Sequence, residues 1–299
     1  VNPQFPIYIV SKGRWDSRLT MKALDRMGVP YRVIVEESEQ QSYARVLGDE
    51  RPLILDPAYQ RAYETCDDLG DAKSPGSGPA RNFAWDHALA EGHEWHWCMD
   101  DNLRSFFRFN NSHRFYCGDG TLLRSCEDFV LRYENVGMAG PHYKMFVSPR
   151  TPHRYPFVLN TRIYSCNLIR NDLPFRWRGR YNEDTILSLD LLSNGWCTVL
   201  FYHVLQDKVA TQVMKGGNTD ELYKEGTAPK SEMLVREHPR YARLMRRFGR
   251  PHHFIDYTKH FGRRPRLRRK PDLEIPKGVN DYGLKLVDIS EAAAQPAQG

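Results

Sequence analysis

Short apolar runs alternate with amphipathic stretches through the first hundred residues. "PIYIV" (6–10) and "YRVIVE" (31–36) are brief, apolar and rich in β-branched residues, and each predicts a buried strand. Between them, Leu19, Ala23, Leu24 and Met27 share one face of a predicted helix that Asp16 or Ser17 can cap and Gly28 closes. A helical segment at Gln40–Leu47 and a short strand "LIL" (53–55) follow. This strand–helix–strand order is the start of an α/β layer structure with a parallel sheet.

Further on, the loop "DAKSPGSG" runs into a helix with Pro79 in its first turn, Ala80, Phe83, Ala84, His87 and Ala88 on its apolar side, and Gly92 at its end. "WHWCM" (95–99) is then a strand whose carboxyl end delivers Asp100 and Asp101. The middle of the chain (105–178) is mixed and β-rich, with a helix expected at 126–134 and strands near 144–147 and 157–169. Asn182 opens a helix with Glu183 and Asp184 in its first turn, Gly195 ends it, and "CTVLFYHVL" (197–205) is another strand. "KGGN" (215–218) is a Gly-rich loop, the stretch past Ile289 reads as disordered, and there are no internal repeats.

Composition narrows the class. No apolar run approaches the roughly 18 residues of a membrane span, and "FPIYIVSKGR" shows no basic-then-apolar leader. The six cysteines are scattered without a C-x-x-C pair, which suits reduced, buried thiols in a cytoplasmic protein. The net charge of +6 hides an asymmetry: residues 236–270 hold thirteen Lys/Arg against two acids, a local excess of +11 that leaves about −5 elsewhere. A basic module on a mildly acidic body suits a polyanionic partner.

Two acid pairs carry the candidate chemistry. Asp100 and Asp101 end a buried strand, where adjacent carboxylates repel. A divalent cation with hard oxygen ligands would resolve the conflict, and so would a solvated turn. Ligands gather outside the carboxyl ends of strands in open α/β sheets, and Ser11–Arg14 also follows a strand. Backbone N–H groups of the Gly/Ser loop, with Arg81 in the helix's first turn, suit a phosphate. Glu183 and Asp184 read either as helix-dipole partners or as a general base at the rim.

The ordered motifs "IYIVSKGR", "GSGPARNFAW", "WCMDDN" and "RYNEDTILSLDLLSNGW", over about residues 5 to 260, resemble a GT-A-fold nucleotide-sugar glycosyltransferase. More narrowly, the chain is similar to the phage-encoded TET/JBP-associated glycosyltransferases of DNA hypermodification. That resemblance implies a Rossmann-like mixed sheet flanked by helices, with residues 1–230 catalytic, a basic, aromatic helical/loop extension at 231–275 for the acceptor, and a tail at 276–299. It implies that Ser11, Lys12 and Arg14 hold the nucleoside, and that Lys73 and Arg81 lie against ribose and diphosphate. Asp100 would face the ribose, and Asp101 would bind the Mn²⁺ or Mg²⁺ bridging the diphosphate. Asp184, with Glu183 second, is the implied base of an inverting transfer. His203 is a further metal-ligand candidate or a structural histidine. Asn102 stands where many relatives have a third acid. Lys215, Gly216 and Gly217 are placed as a loop closing on the diphosphate, or as a plain surface turn, and Lys208 is a weaker phosphate candidate.

The donor implied is a UDP-sugar, UDP-glucose or UDP-GlcNAc, and the acceptor is double-stranded DNA carrying 5-hydroxymethylcytosine or a related hydroxymethylpyrimidine. The host bacterial cytoplasm would be the compartment, with no membrane partner. Arg246, Arg247, Arg250, His252, His253, Tyr257, Arg263 and Arg264 are the DNA-binding candidates, arginines meeting phosphates and aromatics stacking on a base. Competing readings are a glycosyltransferase acting on protein or surface glycan, a metal-dependent nuclease, and a non-catalytic DNA-binding protein on an enzyme scaffold.

Overall fold

A computed structural model of the chain describes residues 1–70, 73–150, 155–209, 228–247, 249–274, 278–280, 283 and 285. The expected loop at 215–218 and the stretch past Ile289 lie outside them. Strands β1 (Ile7–Val10), β2 (Arg32–Val35), β3 (Pro52–Ile54) and β4 (Trp95–Asp100) pair in the order β3-β2-β1-β4, every pair parallel. Both faces are covered, which is why these strands read as unbroken apolar runs. Ile7 and Ile9 of β1 enter one core with Met21, Leu24 and Met27 of helix α1 (Leu19–Met27). Helices α2 (Gln40–Leu47) and α3 (Pro57–Ala62) flank β3 in sequence. Tyr8 and Val10 enter a second core with Ala84, Trp85 and Ala88 of helix α4 (Gly78–Ala90).

Gly28 closes α1 in the left-handed conformation, φ 63°, as its sequence position suggests. The amino end differs from expectation. Arg18, not Asp16 or Ser17, is the N-cap and makes no side-chain cap. Asp16 instead accepts from the Ser17 N–H at 2.6 Å. The helix start is pinned to the strand end, where Thr20 Oγ1 donates to the Asp100 carbonyl at 2.6 Å.

The middle of the chain corrects three expectations. A hairpin of β5 (Leu103–Asn110) and β6 (His113–Tyr116) turns through Asn111 and Ser112, both at positive φ. Helix α5 (Thr121–Val130) starts and ends earlier than 126–134. The expected strand near 144–147 is a 3-10 turn, and the strand lies before it as β7 (Val136–Tyr143). "VGMAGPHY" has poor strand propensity, but packing requires its small residues. A Cβ on Gly140 would stand 2.2 Å from the Cys166 carbonyl oxygen. The expected 157–169 strand divides into β8 (Phe157–Leu159) and β9 (Cys166–Arg170).

Helix α6 (Glu183–Ser193) and β10 (Cys197–Lys208) complete the mixed ten-stranded sheet, ordered β3-β2-β1-β4-β9-β7-β10-β5-β6 with β8 also on β10. β4 and β7 both run antiparallel to β9, and β10 runs parallel to β7. The carboxyl ends of β1, β4, β7 and β10 therefore share one edge, at Val10, Asp100, Tyr143 and Lys208, and β9 begins there just after Ser165.

Helix α7 (Ala228–Glu237), the hairpin β11 (Ala242–Arg247) and β12 (Arg250–Ile255), and helix α8 (Tyr257–Phe261) follow. Met233, Leu234, Ala242 and Phe261 of this part share a core with Tyr181, Ile186, Leu189 and Leu192 at α6. All six cysteines are free thiols and five are buried. Among the described residues, no helix is long and apolar enough to cross a membrane.

Candidate active site

The shared strand edge gathers charge. The Asp100 carboxylate accepts from Arg81 Nη2 at 2.6 Å and from Lys208 Nζ at 2.8 Å, one cation on each oxygen. Lys208 also donates to Ser165 Oγ at 2.7 Å, and Ser165 Oγ lies 2.6 Å from the Tyr143 hydroxyl. Burial alone would raise the Asp100 pKa. The Lys208 ammonium and the Arg81 guanidinium overcome that and hold it well below the usual carboxylate range.

Asp101, 4% exposed, turns toward the loop after β1. Ser11 Oγ donates to its Oδ2 at 2.7 Å, and Arg14 Nη1 is bonded to its Oδ1. The buried Tyr43 backs this loop, its hydroxyl 2.6 Å from Ser11 Oγ and accepting from the Arg14 N–H at 3.2 Å. Burial outweighs Arg14 and Ser11 and raises the Asp101 pKa. Lys12, in the same loop, pairs with Glu36 at 3.0 Å.

The start of α4 joins both acid pairs. Arg81, 3% exposed, stacks over Trp177 at 4.8 Å and donates through Nε to Ser77 Oγ at 3.2 Å while holding Asp100. Ser77 Oγ in turn donates to Glu183 Oε1 at 2.8 Å, and Arg81 Nε stands 3.7 Å from the same oxygen. Burial raises the Glu183 pKa against the pull of Arg81. Arg180, fully buried, organises the preceding loop: it pairs with Asp67 at 2.8 Å and donates to the carbonyls of Gly70 and Ser74 at 2.8 and 2.7 Å and to that of Lys73. Lys73 is thus anchored by its backbone. Nothing in the sequence pattern marks Arg180 as the organiser.

Asp184 faces the C-terminal part. Its Oδ1 accepts from the Thr185 N–H at 2.7 Å and from Thr185 Oγ1 at 3.2 Å, which fixes the carboxylate. Asn182 stands at the N-cap in the left-handed region but makes no side-chain cap; its Nδ2 donates to the Lys230 carbonyl at 2.8 Å instead. Arg162 and Lys230 both feel the Asp184 charge, and Lys230 also feels Glu183 and Lys208. Burial, with Lys230 and Arg162 nearby, pushes His253 down to about 4, so its ring is neutral at physiological pH. His253 Nδ1 and the Tyr257 hydroxyl are buried without a hydrogen-bond partner among the described residues.

Other expected site residues lie elsewhere. His203 does not join the acids. It sits where β10 bulges between Phe201, opposite Pro141, and Leu205, opposite His142, and its N–H and Nδ1 both address the Pro156 carbonyl, at 3.1 and 3.2 Å. Lys215, Gly216 and Gly217 lie outside the described residues. Arg246 and Arg250 are exposed on the β11–β12 hairpin beside the half-buried His252, and Arg247 is in β11. Arg263 and Arg264 are exposed on a segment tied to the opposite end of the sheet. There, Asn160, whose N–H bonds the Thr198 carbonyl near the start of β10, donates to the carbonyls of Phe261 and Pro265 at 3.0 and 2.7 Å.

The strand-end acids do not fit a bound divalent ion. All four carboxylate oxygens already accept from protein groups, three of them from cations. A divalent ion taking these oxygens would have to displace the donors already on them, and each cation among those donors would repel it. Asn102 Oδ1, next in sequence, is buried without a partner among the described residues. Glu64, Cys66 and Glu237 form a separate cluster with metal-like spacing. Arg178 occupies it, its Nη1 2.5 Å from Glu237, 3.4 Å from Cys66 Sγ and 3.6 Å from Glu64, and burial holds the Cys66 thiol up at about 12.

A mixed sheet with acids at its carboxyl edge, a basic loop and helix start against them, and a second acid pair opening the helix before the last long strand define a GT-A-type nucleotide-sugar glycosyltransferase. Residues 5–217 match the TET-Associated Glycosyltransferase family, and the chain belongs to it. The match holds the whole strand edge and ends before α7, short of the span to about 260 that the motifs suggest. No curated protein matches the chain.

Proposed function

We propose that the enzyme moves a sugar from a UDP-sugar, UDP-glucose or UDP-GlcNAc, to the hydroxyl of a 5-hydroxymethylated pyrimidine, foremost 5-hydroxymethylcytosine, in double-stranded DNA. Residues 1–230 form the catalytic part in this reading, and residues 231–275 serve the acceptor. The observation that carries it is the position of Asp184, between the charged strand edge and the His253–Tyr257 side of the basic C-terminal part.

Ser11, Lys12 and Arg14 hold the nucleoside, and Lys73, Arg81 and Asp100 the ribose and diphosphate. The acceptor oxygen attacks the anomeric carbon as its proton passes to the Asp184 carboxylate. The bond from that carbon to the β-phosphate oxygen breaks, its electron pair leaving on the phosphate. The products are glycosylated DNA and UDP, with the anomeric centre inverted. No step runs through a divalent cation. Glu183 positions rather than reacts, because Ser77 and Arg81 already engage it.

His252, His253 and Tyr257 receive the modified base, and Arg246 and Arg250 meet the backbone beside it. The hydroxymethyl group projects into the major groove, and in-line attack on it favours an extruded base.

The test is incubation of the purified chain with a panel of UDP-sugars and duplexes carrying 5-hydroxymethylcytosine, 5-hydroxymethyluracil or unmodified cytosine, followed by mass spectrometry of the digested nucleosides. A sugar adduct on a hydroxymethylated base alone is expected. Equal background signal on modified and unmodified DNA with every donor overturns the acceptor assignment.

A further inference from the structure

Lys208 ends β10 at the point where the chain brings Asp100, Ser165 and Tyr143 together, and it is bonded to the first two at 2.8 and 2.7 Å. Its ammonium also lies 5.7 Å from the centre of the Tyr143 ring. Arg81 stands on the other Asp100 oxygen at 2.6 Å, and Arg14 is on Asp101. Arg162 and Lys230 lie near Asp184. Five cations thus stand among the carboxylates Asp100, Asp101, Glu183 and Asp184, with Glu39 behind the first loop. The charge of such an edge is met from within, by cations a diphosphate can share.

We propose that protein cations take the place of a divalent metal at this site: Lys208, with Arg81 and Lys230, binds the donor diphosphate and neutralises the charge released on it. The inference rests on the chain using a nucleotide-sugar donor and is independent of the acceptor. When the bond from the anomeric carbon to the β-phosphate oxygen breaks, the electron pair stays on that oxygen, and the Lys208 ammonium balances it without giving up a proton. The role falls to Lys208 because Ser165 and Asp100 hold its head group in place before the donor arrives, so little reorganisation accompanies the reaction.

The experiment is isothermal titration of the full chain with UDP and, separately, with inorganic pyrophosphate, each in EDTA and in Mn²⁺. Both ligands are expected to bind in EDTA, with a Kd within about threefold of that in Mn²⁺. Lys208→Met should weaken both by about tenfold or more, the size of one charge-assisted hydrogen bond. Lys208→Arg should recover part of the loss, and the thermal midpoints of both variants report whether they fold. Binding that vanishes in EDTA and returns with Mn²⁺ overturns the inference. So does wild-type affinity in a folded Lys208→Met variant, or no binding of either ligand under any condition. Transfer to hydroxymethylated DNA is read separately. Metal-free binding without transfer retains this inference and removes the acceptor reading, whereas transfer that demands Mn²⁺ does the reverse.

Discussion

Arg180→Met removes the guanidinium's hydrogen bonds to the loop before α4 while leaving an apolar side chain in its place. The wild-type guanidinium is 1% exposed, and its Asp67 partner has a side chain only 10% exposed. Breaking a buried ion pair by deleting one partner is worth about 3–5 kcal/mol, and each carbonyl left to find water adds about 1 kcal/mol. With the carbonyls of Gly70, Lys73 and Ser74 included, the upper bound is about 6–8 kcal/mol. Gly70 is exposed, however, so the loop can escape by opening to water rather than holding an unpaired charge inside. The global loss is therefore expected near the low end, about 3 kcal/mol, with the remainder appearing as local opening. Urea unfolding followed by tryptophan fluorescence measures the first, and hydrogen exchange over residues 64–77 the second. Adding Asp67→Asn to the variant should cost much less than the two single changes combined, with a coupling of about 2 kcal/mol. Because the loop leads into Ser77 and Arg81, the KM for the donor should rise as well. A loss below about 1 kcal/mol with unchanged exchange over the loop would refute the organising role.

Three further outcomes are expected. Asp184→Asn should lower kcat by about 10²–10⁴-fold with little change in donor KM, whereas Glu183→Gln should act mainly on donor KM by loosening Ser77 and Arg81; steady-state kinetics separates them. Burial raises Glu127 to about 7 despite its bonds from the Gln4 and Phe5 N–H groups and Trp97 Nε1. The folded state thus holds that proton when the unfolded state, near 4.5, has lost it. This stabilisation is complete below about pH 4.5 and is lost as pH rises through 7, by roughly 3 kcal/mol. Subtracting the pH profile of Glu127→Gln from that of the wild type in urea denaturation should isolate that decline. Arg263→Ala with Arg264→Ala should flatten the salt dependence of duplex binding by about two counterions and leave kcat on a short hydroxymethylated duplex unchanged.

The legible elements of the fold are those whose neighbours impose a simple pattern. β1, β2 and β4 are covered on both faces and read as unbroken apolar runs, and α1 carries a one-sided stripe that ends at a glycine. β7 escapes such reading because its composition answers to distant packing: Gly140 is small because Cys166 crosses it, a contact that no local window contains. The β5–β6 hairpin escapes for a different reason. Its outer residues are exposed, Phe115 and Tyr116 by more than half, so apolar content and burial no longer coincide.

The same division explains the site. Asp100 with Asp101, and Glu183 with Asp184, are adjacent in sequence and announce themselves as charge in need of a partner. Their partners arrive through the fold. Lys208 reaches Asp100 across 108 residues, and Arg14 reaches Asp101 across 87. Lys208 also stands just past a register shift between Asp207 and itself on β10; Asp207 turns to Lys144 and Arg104 while Lys208 turns to Asp100. A bulge of this kind re-aims a side chain without leaving a mark in composition. With its internal counter-charges invisible, an acid pair at a strand end calls for an ion from outside, and the expectation of a divalent metal follows naturally. Once strand order and register bring Arg14, Arg81 and Lys208 to the same edge, the charge is met from within, and the divalent ion is no longer required to make adjacent Asp100 and Asp101 tolerable.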